Sequence, residues 1–267
     1  MGEPPAELVA RLRAAGCVFA EQEAALLVAA APSATGLESM VARRVAGEPL
    51  EYVVGWAEFC GLRMVVEPGV FVPRHRTELL VDEAARLLEG LTDPVVLDLC
   101  CGSGALGAAL AVRRPVELYA ADVDPAAVRC ARVNVAGAGG HVFEGDLFDP
   151  LPRGLRGRVD VLLANVPYVP TDAIALMPPE ARDHELRLTL DGGADGLAVF
   201  RRVSAGALTW LAPGGHVLVE SSERQAAAMC DAFTTDGLVP RVVADDEWGA
   251  TVVVATRRRA GSQDTGW

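Results

Sequence analysis

The chain has 267 residues, 51% of them hydrophobic, and 36 Asp and Glu against 24 basic residues, all Arg, for a formal net charge of −12. No apolar run reaches the roughly 18–20 residues that cross a bilayer, so a membrane partner is not expected. An acidic surface also disfavours nucleic acid, whose binding is driven by neutralising phosphates.

The N-terminus carries Glu3, Pro4 and Pro5 before any apolar stretch, which does not read as a signal peptide, and a cytoplasmic protein is expected. Six cysteines (Cys17, Cys60, Cys100, Cys101, Cys130, Cys230) have no CxxC spacing and no grouping with the four histidines. Buried thiols are expected there, with neither a metal site nor a disulfide framework.

In chain order, residues 6–47 are rich in Ala, Leu and Glu, with apolar positions at helical spacing (Leu8, Leu12, Ala15, then Ala25, Leu26, Val28, Ala29) and breaks at Pro32, Gly36 and Gly47. This predicts a small helical domain of two or three helices over residues 1–50. Two short β-like pieces, 56–60 and 62–66, are divided by Gly61 and closed by Pro68-Gly69, which predicts a hairpin linker over 51–72. Thr77 is placed to cap a helix running to about Glu89.

From Pro94 on, strand and helix patterns alternate. Strands are predicted at 95–99, 117–121, 141–144, 159–164, 216–220, 241–244 and 251–255, and helices at 105–113, 125–136, 196–211 and 223–234. Such alternation predicts an α/β fold, a doubly wound and mainly parallel sheet of seven strands in a domain spanning 73–267. The last two strands have no helix between them and should form an antiparallel hairpin. The tail from Arg257 is polar and is expected to fray.

The strand Val95-Val96-Leu97-Asp98-Leu99 feeds Cys100-Cys101-Gly102-Ser103-Gly104-Ala105-Leu106-Gly107, and Asp122 follows at the end of the next strand. Glycines before a helix let a ligand approach the backbone, and a carboxylate at that distance suits ribose hydroxyls. A dinucleotide and S-adenosylmethionine both meet this description. Asp98 favours the second, because a carboxylate there opposes a pyrophosphate and can accept hydrogen bonds from the ammonium of a methionine moiety. Gly145-Asp146-Leu147-Phe148 adds a carboxylate and an aromatic ring where an adenine could be held.

After the apolar strand 159–164 comes Asn165-Val166-Pro167-Tyr168. An amide, a fixed backbone carbonyl and an aromatic face at one strand end suit a flat amide or amine.

Taken together, these stretches resemble the HemK/PrmC family of class I methyltransferases. The likeness runs from Gly47-Glu48-Pro49-Leu50-Glu51-Tyr52 through Phe71-Val72-Pro73-Arg74-His75-Arg76-Thr77-Glu78, the glycine loop, Asp122-Val123-Asp124-Pro125, Gly145 to Phe148, Asn165 to Tyr168 and Asp191 to Leu197, to Glu220 and Gln225. It implies a Rossmann-like S-adenosylmethionine-dependent protein-(glutamine-N5) methyltransferase, whose protein substrate is a peptide chain release factor engaged by the helical domain. It implies cofactor contacts at Asp98, Gly102, Gly104, Asp122, Val123, Asp146, Leu147 and Asn165. It also implies substrate contacts at Phe71, Arg74, Thr77, Val166 and Tyr168, with Asn165, Pro167 and Tyr168 as the catalytic group and no metal.

The chain departs from the family at three places. Val166 replaces the first Pro of Asn-Pro-Pro-Tyr, Cys100 replaces the first glycine of the loop, and the family's Pro-Arg-Pro-Glu-Thr-Glu reads Pro73-Arg74-His75-Arg76-Thr77-Glu78. With a helical domain that looks short for the family, these mark a divergent branch whose protein substrate is a release factor or a different protein. A small-molecule or nucleic-acid N-methyltransferase, and a catalytically silent cofactor-binding protein, stay open as alternatives.

Overall fold

Residues 4–259 are described by a computed structural model, and three helices open them: α1 (Ala6–Ala14), α2 (Ala20–Ala30) and α3 (Ala34–Val45). Their apolar faces make a small core of Leu8, Leu12, Ala20, Ala24, Leu27 and Val41. Ser33 caps α3 by accepting the Gly36 N–H at 3.1 Å. Arg44 donates through Nε to Glu23 at 2.6 Å, and both side chains are buried.

A short helix α4 (Leu50–Val54) leads into the antiparallel hairpin β1 (Trp56–Phe59) and β2 (Leu62–Val65). Phe59 and Met64 point inward and join the core of the sheet domain.

Helix α5 (Glu78–Leu87) follows a single 3-10 turn at residues 75–77. Thr77 precedes it but makes no side-chain cap, contrary to the expectation from sequence. Its hydroxyl is buried and donates to Glu220 instead.

The sheet domain alternates as β3 (Val95–Leu99), α6 (Ala105–Arg113), β4 (Glu117–Asp122), α7 (Pro125–Asn134), β5 (His141–Glu144) and β6 (Val159–Ala164). Two short helices follow, α8 (Pro179–His184) and α9 (Arg187–Leu190), and then α10 (Ala198–Trp210). The chain closes with β7 (Leu211–Ser221), α11 (Glu223–Thr235), β8 (Val239–Asp245) and β9 (Ala250–Thr256). Neither α8 nor α9 is expected from the sequence pattern. They are too short for periodicity to register, and they sit in a stretch crowded with Pro and charge.

Strand order is β5-β4-β3-β6-β7-β9-β8, parallel as far as β7, with β9 antiparallel to both of its neighbours. Period-2 alternation divides the core between the two faces. Leu97 and Leu99 of β3 and Leu162 and Ala164 of β6 face one layer, and Val96, Val161 and Leu163 face the other.

Strand order reverses between β3 and β6, and ligands bind at such a switch point, beyond the carboxyl ends of the strands. Leu99 pairs in register with both Ala121 and Ala164, and Asp122 pairs with Glu144. The segments after β3, β4, β5 and β6 therefore leave the sheet along one edge. The polar tail lies largely at residues 260–267, outside the described residues.

Candidate active site

Along that edge lies a cleft of about 480 Å³, walled by the strand-end segments, by residues 71–77 and by the stretch around α8 and α9. Of the residues singled out in the sequence, Phe71, Arg74, Thr77, Gly102, Asp122, Val123, Asp146, Leu147, Asn165, Val166, Pro167 and Tyr168 all line it. Asp98 and Gly104 do not.

Asp98 is wholly buried, and its Oδ2 accepts the Gly107 N–H at 3.0 Å. It alternates onto the same face of β3 as Val96, beneath α6, so it braces the glycine loop from below and is not exposed to an ammonium in the cleft. Burial, reinforced by Asp122, pushes its carboxyl up to about 8.

Gly104 has φ +75°, and a Cβ there would lie 3.0 Å from that of Ala131. Its lack of a side chain serves the contact with α7. Phe148, expected beside an adenine, is instead stacked on Trp210 with ring centroids 5.6 Å apart. Leu147, in the left-handed region at φ +48°, faces the cleft in its place.

At the β3–β4 end, Asp122 takes the Gly102 N–H on Oδ2 at 2.8 Å and the Asp124 N–H on Oδ1 at 2.9 Å. Burial raises its carboxyl above the usual range. Asp124 accepts the Ala126 N–H at 3.1 Å through Oδ1, while its Oδ2 is buried without a hydrogen-bond partner. Nothing lies within 4 Å of a Cβ built on Gly102, so the loop presents bare backbone. Asp146 is met by Arg202 of α10 at 2.7 Å, a half-exposed pair. Asn134 of α7 donates to the Ser103 carbonyl at 2.8 Å and exchanges hydrogen bonds with Val65, fastening the hairpin to the glycine loop.

At the β6 end, Asn165 to Tyr168 are braced from behind. Glu220, at the end of β7 and only 3% exposed, accepts from Arg76 Nε and from the Tyr168 hydroxyl, each at 3.1 Å, and from Thr77. Arg76 also donates to the Tyr168 oxygen. Burial, and then Glu220, pushes the Tyr168 phenol up to about 12, so it remains a hydroxyl at neutral pH.

Gln225 of α11 donates to the carbonyls of Tyr168 at 3.0 Å and Asp195 at 3.1 Å. The Asp191–Gly196 loop closes in from the side, with Gly192 N–H donating to Val169 O at 2.9 Å and Thr171 N–H to Gly193 O at 3.0 Å. Val166 turns its side chain into the main core at 2% exposure. Its replacement of a Pro is thus a change in packing and not in the lining surface chemistry.

Residues 61–177 match the family described as methyltransferase small domain. The release factor glutamine methyltransferase of Geobacter sulfurreducens is 39% identical over 221 residues, 82% of this chain and 76% of its own length. The chain belongs to the release factor glutamine methyltransferase family. It is an S-adenosylmethionine-dependent methyltransferase.

A second relative of this methyltransferase, 37% identical over 74% of the chain and 69% of its own length, is the 4-amino-L-phenylalanine/4-methylamino-L-phenylalanine methyltransferase of Streptomyces pristinaespiralis. Among solved structures, the T. thermophilus 16S rRNA N2 G1207 methyltransferase, in complex with AdoMet and guanosine, shares the fold. Its TM-score is 0.53 at 22% identity, covering 76% of this chain and 50% of that one.

The β3–β4 end of the cleft suits S-adenosylmethionine, with its bare loop, the Asp122 carboxylate and the unpartnered Asp124 oxygen. Arg202, Glu185 and Asn134 carry no signal in the sequence that marks them for the site, and Asp124 enters only as part of the Asp122-Val123-Asp124-Pro125 motif. Only Asp124, an Asp-Pro helix cap, carries a local signal.

Proposed function

We propose that this methyltransferase places a methyl group on the side-chain amide nitrogen of a glutamine in a protein substrate, a peptide chain release factor, and does so in the cytoplasm. The observation that carries this reading is the bracing of Asn165 to Tyr168 against the sheet end next to the cofactor loop. An amide nitrogen is a poor nucleophile because its lone pair is delocalised, so catalysis has to come from orientation. Orientation can contribute roughly 7–11 kcal/mol in favourable cases.

In this reading the Asn165 side-chain oxygen accepts one N–H of the acceptor and the Val166 carbonyl accepts the other, while Tyr168 flanks the amide plane. Gly102, Asp122, Val123, Asp146 and Leu147 hold the cofactor, which supplies an electrophilic methyl group when bound. Asp98 and Gly104 act through the loop. Phe71, Arg74 and Thr77 border the acceptor, the helical segment of residues 1–50 engages the protein substrate, and 51–72 links it to the methyltransferase domain. The amine-methylating relative supports a second reading, in which the acceptor is a small amine.

Incubating the protein with labelled S-adenosylmethionine and a whole-cell protein extract, then mapping by mass spectrometry, separates the two. A glutamine carrying one added methyl group is expected; label found only on small molecules overturns the first reading. Asn165→Ala should abolish transfer with cofactor affinity nearly unchanged, and full turnover by that variant would remove Asn165 from its role.

A further inference from the structure

Two ion pairs built alike stand at the acceptor end of the cleft, Arg74 with Glu185 and Arg76 with Glu220; Arg74, Arg76 and Glu185 line it, and Glu220 lies behind. In both, the carboxylate is hidden and the guanidinium shown. The side chains of Glu185 and Glu220 are 1% and 3% exposed, whereas those of Arg74 and Arg76 are 36% and 44% exposed. Each pair is formally neutral, yet the group each shows to a ligand is its guanidinium, in a cleft otherwise lined by carboxylates such as Glu51, Glu180 and Asp191.

Hydrogen-bond donors are also left over. A guanidinium has five N–H groups. Arg76 directs its Nε and Nη2 to Glu220 and Tyr168, and Arg74 directs its Nη2 to Glu185. The Nη1 groups of both face no hydrogen-bond acceptor among the described residues. Arg74, Arg76 and Glu185 all line the cleft, and burial raises the Glu185 carboxyl against the opposing pull of the two cations. Nearby, Glu180 is bound to Arg44 at 2.7 Å, and half-buried Glu51 adds a carboxylate to the same wall.

We infer that Arg74 and Arg76 receive a carboxylate carried by the methyl acceptor, and that Arg76, which touches Tyr168, sets this preference. The inference rests on the reading that Asn165 to Tyr168 hold the acceptor nitrogen. Arg76 stands where the quoted family segment has Glu, a reversal of charge beside the acceptor. A planar guanidinium with free donors matches a carboxylate in both shape and charge. In a protein acceptor that carboxylate is a side chain next to the glutamine, and in a free amino acid it is the α-carboxylate.

The test is titration calorimetry on the full chain loaded with S-adenosylhomocysteine, using matched probes. One pair is a glutamine peptide with Glu or with Gln beside the acceptor; the other is 4-amino-L-phenylalanine and its carboxamide. In at least one pair the carboxylate member should bind about tenfold tighter, and which pair shows it identifies the source. Arg76→Met should erase the difference and Arg76→Lys retain part of it. If Arg76→Met does not fold, the double variant with Glu220→Gln removes both charges and takes its place. Equal binding within both pairs, or a preference that survives loss of Arg76, overturns the inference. Loss of the glutamine mark in the labelling experiment would instead overturn the protein-glutamine reading and leave a carboxylate preference measurable.

Discussion

Gly196 offers the sharpest handle on the bracing of the acceptor site. It has φ +75°, and a Cβ there would lie 2.2 Å from the Tyr168 carbonyl oxygen and 2.4 Å from Gln225 Nε2. In Gly196→Ala the carbonyl must withdraw by roughly 1 Å, and a misplacement of that size can cost on the order of 10²-fold in rate. Two further costs fall on stability. A left-handed Ala costs roughly 1–2 kcal/mol, and the two Gln225 hydrogen bonds contribute about 0.5–1.5 kcal/mol each. The control is Gly90→Ala, at φ +80° with nothing within 4 Å of the added Cβ, which bears the backbone cost alone. Urea unfolding should show a loss of about 1–2 kcal/mol for Gly90→Ala and about 2–5 kcal/mol for Gly196→Ala. Methyl transfer should fall about a hundredfold only in Gly196→Ala, with S-adenosylmethionine affinity within twofold of wild type in both. Transfer by Gly196→Ala at the rate of the control would refute the claim that this loop fixes the acceptor.

Asp122→Asn keeps one oxygen for the backbone N–H groups of Gly102 and Asp124 but lacks a second acceptor and the charge. Calorimetry should show S-adenosylmethionine bound at least about tenfold more weakly, a change of about 1.4 kcal/mol, and unchanged affinity would remove Asp122 from the cofactor site. For Asp98 the expectation is a pH dependence. Its folded pKa of about 8 lies above the unfolded carboxyl value near 4, so the folded state holds the extra proton. Stability of the cofactor-free protein should therefore fall as pH rises from about 4 to about 8, by at most about 1.4 kcal/mol per unit from this group, and level off above. Asp98→Asn should flatten that slope in urea unfolding between pH 5 and 8, and an unaltered slope would contradict the burial of a protonated Asp98.

The sheet was legible because its signals are local. Apolar runs, glycine breaks and strand–helix alternation placed all seven strands and the antiparallel end, and the pairing of Leu99 with Ala121 and Ala164 puts the expected site segments on one edge. Misreadings occurred where the facing of a side chain decides its role. Asp98 stands at a strand end where a ligand contact is expected, but alternation along β3 sets it on the Val96 face, under α6. Thr77 had the sequence of a cap, but a buried carboxylate 143 residues away drew its hydroxyl inward. Phe148 looks like a ligand contact in sequence because no local pattern reveals that Trp210 offers its ring a stacking partner.

The same distinction explains how Asn165 to Tyr168 keep their shape without the first Pro of the family motif. A Pro at 166 would fix one φ angle from within the segment. Here the restraint comes from outside: Glu220 holds the Tyr168 hydroxyl, Gln225 holds its carbonyl, and the Gly192–Gly193 backbone bonds to Val169 and Thr171. Those partners come from the end of β7, from α11 and from the loop before α10, so the restraint is distributed over the fold. Val166 contributes a β-branched side chain to the main core, where a Pro would fill less volume. The substitution thus exchanges a local restraint for packing in a segment that tertiary contacts already hold. Of the remaining departures, Cys100 lines the cleft at the cofactor loop, and the charge reversal at Arg76, beside Tyr168, is the one at the acceptor end.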